Sequence, residues 1–372
     1  MKEQVFKRNL LGFFVIIFFV LYSTALFGAS AKNVILFIGD GMGQAQVLAA
    51  RVCAYGPEGR LNMERLEHFG YVTTYSNSSF VTDSAAAATA IATGHKTRNN
   101  TVGQGEYGQE YESILELAKK MGKATGLVTT AEVTHATPAG FAAHEANRHE
   151  AKAIARDYLN GAQPDVLFGG GAGVWTSNLL EEAKKLDYSV VFTKKELDTL
   201  DPSGVKKILG LFAKSHIAFA LERGNQEPSL KEMTLKALEI LQRDRDGFFL
   251  MVEGGRIDHA GHSNDFSRLI PEVLDFDEAI RTVMSKLEAS KDTLMIVTAD
   301  HETGGLTIVG PRGHLARKGE MVEVNWATRN HTGADVPIWA QGPGAEFVRG
   351  RMDNTEVFSL IERAFGIYGK EN

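Results

Sequence analysis

Three short apolar runs that end in acids and histidines constrain this chain more than any other feature. Val34–Ile38 leads into Gly39-Asp40-Gly41-Met42-Gly43. Phe248–Val252 leads into Glu253-Gly254-Gly255, with Asp258 and His262 just beyond. Thr293–Thr298 leads into Ala299-Asp300-His301-Glu302. Strands that are apolar throughout, rather than at alternate positions, are covered on both faces. Similar runs lie at Thr125–Thr129, Val166–Phe168 and Val336–Ala340. Between the runs fall helical patterns at Ala45–Ala54, Ser113–Met121, His149–Leu159, Leu230–Arg243, Phe266–Ala289 and Thr355–Phe365. This alternation predicts an α/β fold, a mostly parallel central sheet with helices on both faces. Ligands of such sheets sit beyond the carboxyl ends of the strands, where these acids and histidines would gather. Residues 186–228 show no clear period, and 303–334 read as loops with an extra strand near Met321–Trp326. With no internal repeat and no Pro/Gly/Ser linker, one domain over 32–372 is the simplest organisation.

Each acidic feature has an ordinary explanation when taken alone. Gly-Asp-Gly makes turns, Asp258 and His262 are spaced as an i,i+4 surface pair, and Asp-His after a strand can cap a helix. Their coincidence changes the reading. Carboxylates at the ends of buried strands are costly to desolvate without cations, and no matching set of Lys or Arg accompanies them. Divalent metals are the natural compensation. Mixed histidine and carboxylate ligands suit zinc, and oxygen-only sets suit magnesium. Asn330-His331-Thr332-Gly333 places one more histidine just before another expected strand.

A second constellation is Thr82-Asp83-Ser84 followed by four alanines and Thr89. It predicts a helix starting at or near Ser84, with Asp83 or Ser84 as its cap. A hydroxyl at a helix N-terminus sits where backbone N–H groups favour an anion. It becomes a nucleophile if a metal lowers its pKa, and no general-base histidine is then needed. The chain lacks the Gly-x-Ser-x-Gly elbow of α/β-hydrolases.

The amino terminus reads differently from the rest. Lys2, Lys7 and Arg8 precede the apolar run Leu10–Tyr22, and Ala29-Ser30-Ala31 follows. This is the pattern of a secretory signal peptide over residues 1–31, with export to the periplasm or outside the cell. A retained anchor is the alternative, but the run is short against the roughly 20 residues of a span. Neither a cysteine for lipidation nor an apolar carboxyl-terminal tail suggests another anchor. Cleavage would remove three bases and one acid and take the net charge from −6 to −8. That balance, without a basic stripe, disfavours a nucleic-acid binder. The single cysteine, Cys53, reads as a core residue in a helix and permits no disulfide within the chain.

Together these motifs resemble the alkaline phosphatase family. The likeness is carried by Gly39–Gly43, Thr82–Thr89, Ala136-Thr-Pro-Ala-Gly140, Asn147-Arg148, Glu253–His262, Thr298–Thr303 and His331-Thr-Gly333. The resemblance implies a three-layer α/β sandwich and hydrolysis of small phosphate monoesters to an alcohol and inorganic phosphate. It implies two zinc ions and one magnesium per chain, with cobalt as a substitute. Asp258, His262 and His331 would hold the first zinc; Asp40, Asp300 and His301 the second. Asp40 would bridge to a magnesium completed by Thr137 and Glu253. Ser84, the nucleophile, would form a phosphoserine intermediate, and Arg148 would grip two phosphate oxygens. Alone, Arg148 would read as a surface helix residue. His135 and His259, with Asp83, would stand around the ligands and the phosphate; the two histidines replace the aspartate and lysine of the best-known enterobacterial form. The short stretch between His301 and His331 leaves no room for the large surface insertion of bigger relatives. A homodimer is an expectation of the family that this shortening puts in question. Competing readings are a phosphodiesterase or sulfatase-type hydrolase on the same metal architecture, or a non-catalytic relative that binds metal or phosphate.

Overall fold

The computed structural model describes residues 30–287 and 290–367. The expected signal peptide therefore lies outside the described residues except for its last two positions. Of these, Ala31 is buried, and its N–H donates to the Ala364 carbonyl at 2.6 Å.

The strands in chain order are β1 (Asn33–Ile38), β2 (His68–Thr73), β3 (Ala124–Glu132), β4 (Val166–Gly170), β5 (Tyr188–Val191), β6 (Lys207–Leu211), β7 (Phe248–Glu253), β8 (Thr293–Thr298), β9 (Glu302–Thr303), β10 (Leu306–Ile308), β11 (Val324–Trp326), β12 (His331–Thr332), β13 (Val336–Gln341) and β14 (Gly350–Asp353). Ten of them form one sheet in the order β14-β2-β13-β8-β1-β7-β3-β4-β6-β5. Only β13 runs antiparallel to its neighbours in this sheet. The fold is the expected α/β class with a mostly parallel sheet.

The three acid-tipped runs are consecutive at the middle of that sheet, as β8, β1 and β7. Ile38 pairs with Glu253 on one side and with Thr298 on the other. Neighbouring strands lie about 4.8 Å apart. Asp40 and Asp300 therefore leave the sheet at one level, each two residues past the paired Ile38 and Thr298, and Glu253 ends the neighbouring strand beside Ile38.

The helices in chain order are α1 (Gln44–Tyr55), α2 (Ser84–Thr93), α3 (Ile114–Lys120), α4 (Ala136–Ala142), α5 (Ala151–Asn160), α6 (Ser177–Lys185), α7 (Lys194–Thr199), α8 (Leu230–Leu241), α9 (Arg256–Ser263), α10 (Phe266–Leu287) and α11 (Glu356–Ala364). They cover both sheet faces. Phe276 of α10 meets Phe37 edge-on at 5.9 Å, and Phe141 of α4 stacks on Phe249 at 6.0 Å. Phe249 pairs with Val34, three residues from Phe37 on β1. That odd offset puts the two contacts on opposite faces. Every residue of α2 is buried. Its alanines allow α4 to come so close that a Cβ on Gly140 would lie 2.9 Å from the Ala88 Cβ. The alanine run therefore serves packing as well as helix propensity.

Where the reading fell short, the elements are short or irregular. The aperiodic stretch 186–228 contains β5, α7 and β6. β2 and β14, at the edge beyond β13, carry too few apolar residues to announce themselves. The extra strand near Met321–Trp326 is β11, paired with β10 in a small hairpin. The helix expected from His149 begins at Ala151 as α5, and Arg148 lies in the loop before it. Cys53 is buried in α1 as expected. Among the described residues, no helix is long and apolar enough to cross a membrane.

Candidate metal centre

Three groups of ligand-type side chains meet at the carboxyl ends of β8, β1 and β7. They are Asp258, His262 and His331; Asp40, Asp300 and His301; and Asp40, His135 and Glu253. In each group the ligand atoms lie within 4.8 Å of one another.

The first group is set by α9 and β12. One turn of α9 aligns Asp258 and His262, with His262 Nε2 3.3 Å from Asp258 Oδ2. His262 Nδ1 lies 2.6 Å from the Arg329 carbonyl, and His331 Nδ1 lies 2.9 Å from the Thr82 carbonyl. A carbonyl only accepts, so both Nδ1 atoms carry protons and both neutral rings present bare Nε2 lone pairs. These Nε2 atoms face each other at 3.1 Å. Two acceptors so placed repel unless a cation or a proton lies between them. Without metal, the hydrogen bond to Asp258 pushes His262 up to about 9. Burial raises Asp258, but His262, His301 and His331 outweigh it and hold the carboxyl far below its usual range.

The second group surrounds Ser84. Asp83 caps α2, its Oδ1 accepting from Ala86 N at 3.0 Å, which leaves Ser84 in the first turn and buried. Ser84 Oγ lies 3.2 Å from His301 Nε2. The same nitrogen is 3.2 Å from Asp300 Oδ2 and 3.5 Å from Asp40 Oδ1. His301 Nδ1 faces Thr303 Oγ1 at 3.3 Å, and that hydroxyl donates to Asp258 Oδ1. Thr303 therefore accepts from His301 Nδ1, leaving Nε2 aimed at the acids and the serine. Asp300 spends Oδ1 on the N–H groups of Gly41 and His301 and points Oδ2 into the site. Gly41 is required here. Its φ is +71°, and a Cβ would lie 2.9 Å from the Asp258 Cα.

The third group lies where β3 and α4 approach β7. Thr129 donates to Glu253 Oε2. Thr137 Oγ1, Glu253 Oε1 and His135 Nδ1 have no hydrogen-bond partner among the described residues. The family resemblance placed His135 outside the ligands, yet one of its ring nitrogens is within ligand reach of Asp40 and Glu253. Thr137 stands close enough to Glu253 for its hydroxyl to oppose the rise that burial gives this carboxyl.

The electrostatics favour divalent cations. Both oxygens of Asp40 lack partners among the described residues, as does Asp300 Oδ2 by hydrogen-bond geometry. Burial, then the charges of Asp300, Asp258 and Glu253, push Asp40 well above the usual carboxylate range. Burial takes Glu253 up to about 7; burial and Asp258 take Asp300 to the same value. Burial and His331 drive His301 far down. Buried unpaired acceptors and mutually repelling acids, beside neutral imidazoles, form a donor set suited to divalent metals.

Arg148 reaches this floor from its loop. Its N–H donates to the Asn100 carbonyl at 2.8 Å. Its Nη1 donates to Asp83 Oδ2 at 3.0 Å, and its Nη2 lies 3.4 Å from His135 Nε2. His259, on α9, is held down to about 3 by burial, then by His216 and Arg256. Arg256 Nη1 donates to His259 Nδ1 at 2.8 Å and stacks over Phe219.

Two contributors escaped the sequence reading. His216 lies in the aperiodic stretch and accepts from Glu132 N through Nδ1 at 3.1 Å. Its ring packs 4.4 Å from that of His259 and 5.6 Å from that of His135. No local pattern marks it. Thr303 lies inside a quoted motif, and only the fold shows that it links His301 to Asp258. Glu302 shows the reverse. It stands between two site residues but turns away, accepting from Gln46 Nε2 at 2.7 Å and from the Leu306 N–H at 3.3 Å.

The sequence profile of the alkaline phosphatase family matches residues 31–319 and 316–367 of the chain. Alkaline phosphatase 3 of Bacillus subtilis is 35% identical, over 90% of this chain and 88% of that protein. The alkaline phosphatase of the Antarctic bacterium TAB5 superposes with a TM-score of 0.82 at 34% identity, covering 92% of this chain and all of that one. A histidine-to-aspartate variant of the TAB5 enzyme, solved with magnesium in its M3 site, superposes with the same score at 32% identity and the same coverage.

Proposed function

This chain belongs to the alkaline phosphatase family and is a metal-dependent phosphomonoesterase; we propose that it works through a phosphoserine at Ser84. The observation that carries the reading is Asp83. One of its oxygens caps the helix that starts with Ser84, and the other holds Arg148. Nucleophile and anion grip are thereby set in one register beside the three ligand groups.

Asp258, His262 and His331 would hold one zinc, and Asp40, Asp300 and His301 a second. Asp40, Thr137 and Glu253 would hold magnesium, with His135 close enough to admit zinc or cobalt there. When bound, such cations lower the pKa of a hydroxyl and stabilise attacking and leaving oxygens.

The residues divide the remaining work. Arg148 turns its guanidinium to two non-bridging phosphate oxygens, a bidentate match that a lysine lacks. Ser84 Oγ attacks phosphorus, forming the Ser84 O–P bond as the P–O bond to the alcohol breaks. The alcohol oxygen departs on the side of Asp258, His262 and His331 and takes up a proton. Water then attacks the phosphoserine from that same side, Ser84 regains its proton, and inorganic phosphate leaves. Arg148 would take two of a monoester's three non-bridging oxygens, and cations held by the acids and histidines would neutralise the third, which a diester lacks. Sulfate esters and a purely binding role gain no support from this arrangement. Processing near Ala31 and export complete the proposal, and N-terminal sequencing of the secreted protein checks them.

Ser84→Ala tests the chemistry. Turnover of p-nitrophenyl phosphate should fall on the order of 10³-fold or more. Metal analysis should still find two zincs and one magnesium per chain. Wild-type turnover in this variant, or a preference for bis(p-nitrophenyl) phosphate in the parent, would overturn the reading.

A further inference from the structure

Phe80 stands four residues before Ser84 and is 75% exposed. Its backbone is held on both sides. The Ser79 carbonyl accepts from Ser76 N at 3.0 Å, the Val81 carbonyl from Asn99 Nδ2 at 3.1 Å, and the Thr82 carbonyl from His331 Nδ1 at 2.9 Å. The ring itself is seated against Gly333. A Cβ there would lie 2.3 Å from Phe80 Cε1 and 2.6 Å from Cδ1. This gives the glycine of the His-Thr-Gly motif a purpose that the chemistry at His331 does not explain. It leaves room for an aromatic ring.

The position of the ring is informative. It touches the residue two beyond His331, and its own segment runs into Ser84. The proposed reaction sends the alcohol oxygen out on the side of Asp258, His262 and His331. The organic group attached to that oxygen would then lie on the His331 side, where the Phe80 ring rests against Gly333 and is exposed.

We propose that Phe80 is a specificity-determining platform that stacks on the planar organic group of the substrate. On this view the enzyme favours nucleoside and aryl phosphate monoesters over aliphatic ones with the same reacting alcohol. The inference rests on the phosphoserine reading, since that reading sets the direction in which the alcohol leaves.

The test compares adenosine 5′-monophosphate with ribose 5-phosphate, which share a primary alcohol and differ by the base. Stacking of a base on an aromatic side chain is worth enough to change binding by roughly fivefold or more. The wild-type ratio of kcat/KM for the two esters should fall by about fivefold in Phe80→Ala and recover in Phe80→Trp. Product inhibition by adenosine should weaken in the alanine variant and return in the tryptophan one. An unchanged ratio, whether both esters slow equally or neither slows, would overturn the proposal. So would a change in sedimentation with the ratio intact, which would make Phe80 a contact between copies of the chain. Failure of the underlying reading looks different: Ser84→Ala would keep its turnover on both esters.

Discussion

Asp277 and Asp40 are both buried carboxylates, but their surroundings differ in kind. Asp277, on α10, accepts from the Asn62 N–H at 3.0 Å, from Asn62 Nδ2 at 2.6 Å and from the Met63 N–H at 3.0 Å. Asp40 has no hydrogen-bond partner among the described residues and faces Asp300, Asp258 and Glu253. Burial pushes both carboxyls up. At Asp277 the donated N–H bonds oppose that rise; at Asp40 neighbouring acids reinforce it. Burial and pKa direction alone therefore do not distinguish a structural acid from a proposed metal ligand. The balance of donors and acids around the carboxylate does.

The sharpest way to break this contrast is to neutralise each acid. Asp40→Asn should lower activity by about 1,000-fold or more and deplete bound metal. It should also raise the melting temperature of the chelated protein, because it removes a charge that only metal compensates. Asp277→Ala should do the opposite. It leaves the donors of Asn62 and Met63 unpaired at a cost of about 1–3 kcal/mol, while kcat/KM changes little. Loss of activity at Asp277 matched by loss of stability at Asp40 would erase the distinction.

A smaller effect is expected at His216, which supports the site from outside the ligand set. His216→Ala should lower kcat/KM by about tenfold, in the range found for residues that orient ligands. His216→Asn keeps an acceptor for the Glu132 N–H and should recover part of the loss. Equal losses in the two variants would mean that only ring packing matters.

The smallest effect is a pH trend in melting temperature. Asp300 and Glu253 lie at about 7 in the metal-free fold, and His262 at about 9. All three are raised above their unfolded values. Their stabilisation is complete below the unfolded pKa and is lost as pH rises through the folded one. The buried neutral histidines contribute the opposite slope, but only below about pH 6.5, where the unfolded chain binds those protons. The carboxyls lose their contribution mainly between about pH 4 and 7 and His262 between about 6.5 and 9, so from pH 7 to 9 the chelated protein should melt at falling temperatures chiefly through His262. Metal replaces those protons in the loaded enzyme, so the gap between loaded and chelated forms should widen by a few degrees. Parallel curves from calorimetry would contradict the assignment of these residues as ligands.

Much of this site was legible in the sequence because its parts are local. A continuous apolar run announces a buried strand, and the residue after it is placed by the strand alone. That logic found Asp40, Glu253, Asp300 and His301. The alanine run after Ser84 announced a helix and its cap. Arg148 was harder, since only the family likeness removed it from an ordinary helix surface. His216 was not legible. It follows a short strand in a stretch without periodicity, and its partners Glu132, His135 and His259 are distant in the chain. Glu302, flanked by site residues, could not be separated from them without knowing that Gln46 and Leu306 claim its oxygens.

By itself, then, the chain determined its element types and which strand ends carry acids, because those follow from short-range periodicity and desolvation. The tertiary structure decided that β8, β1 and β7 lie side by side, which of the buried acids find donors, and which lone pairs of His262 and His331 are turned toward each other. These depend on strand order and on contacts between residues hundreds of positions apart. No local pattern encodes such contacts, and the same burial that makes an unpaired acid costly makes their outcome decisive.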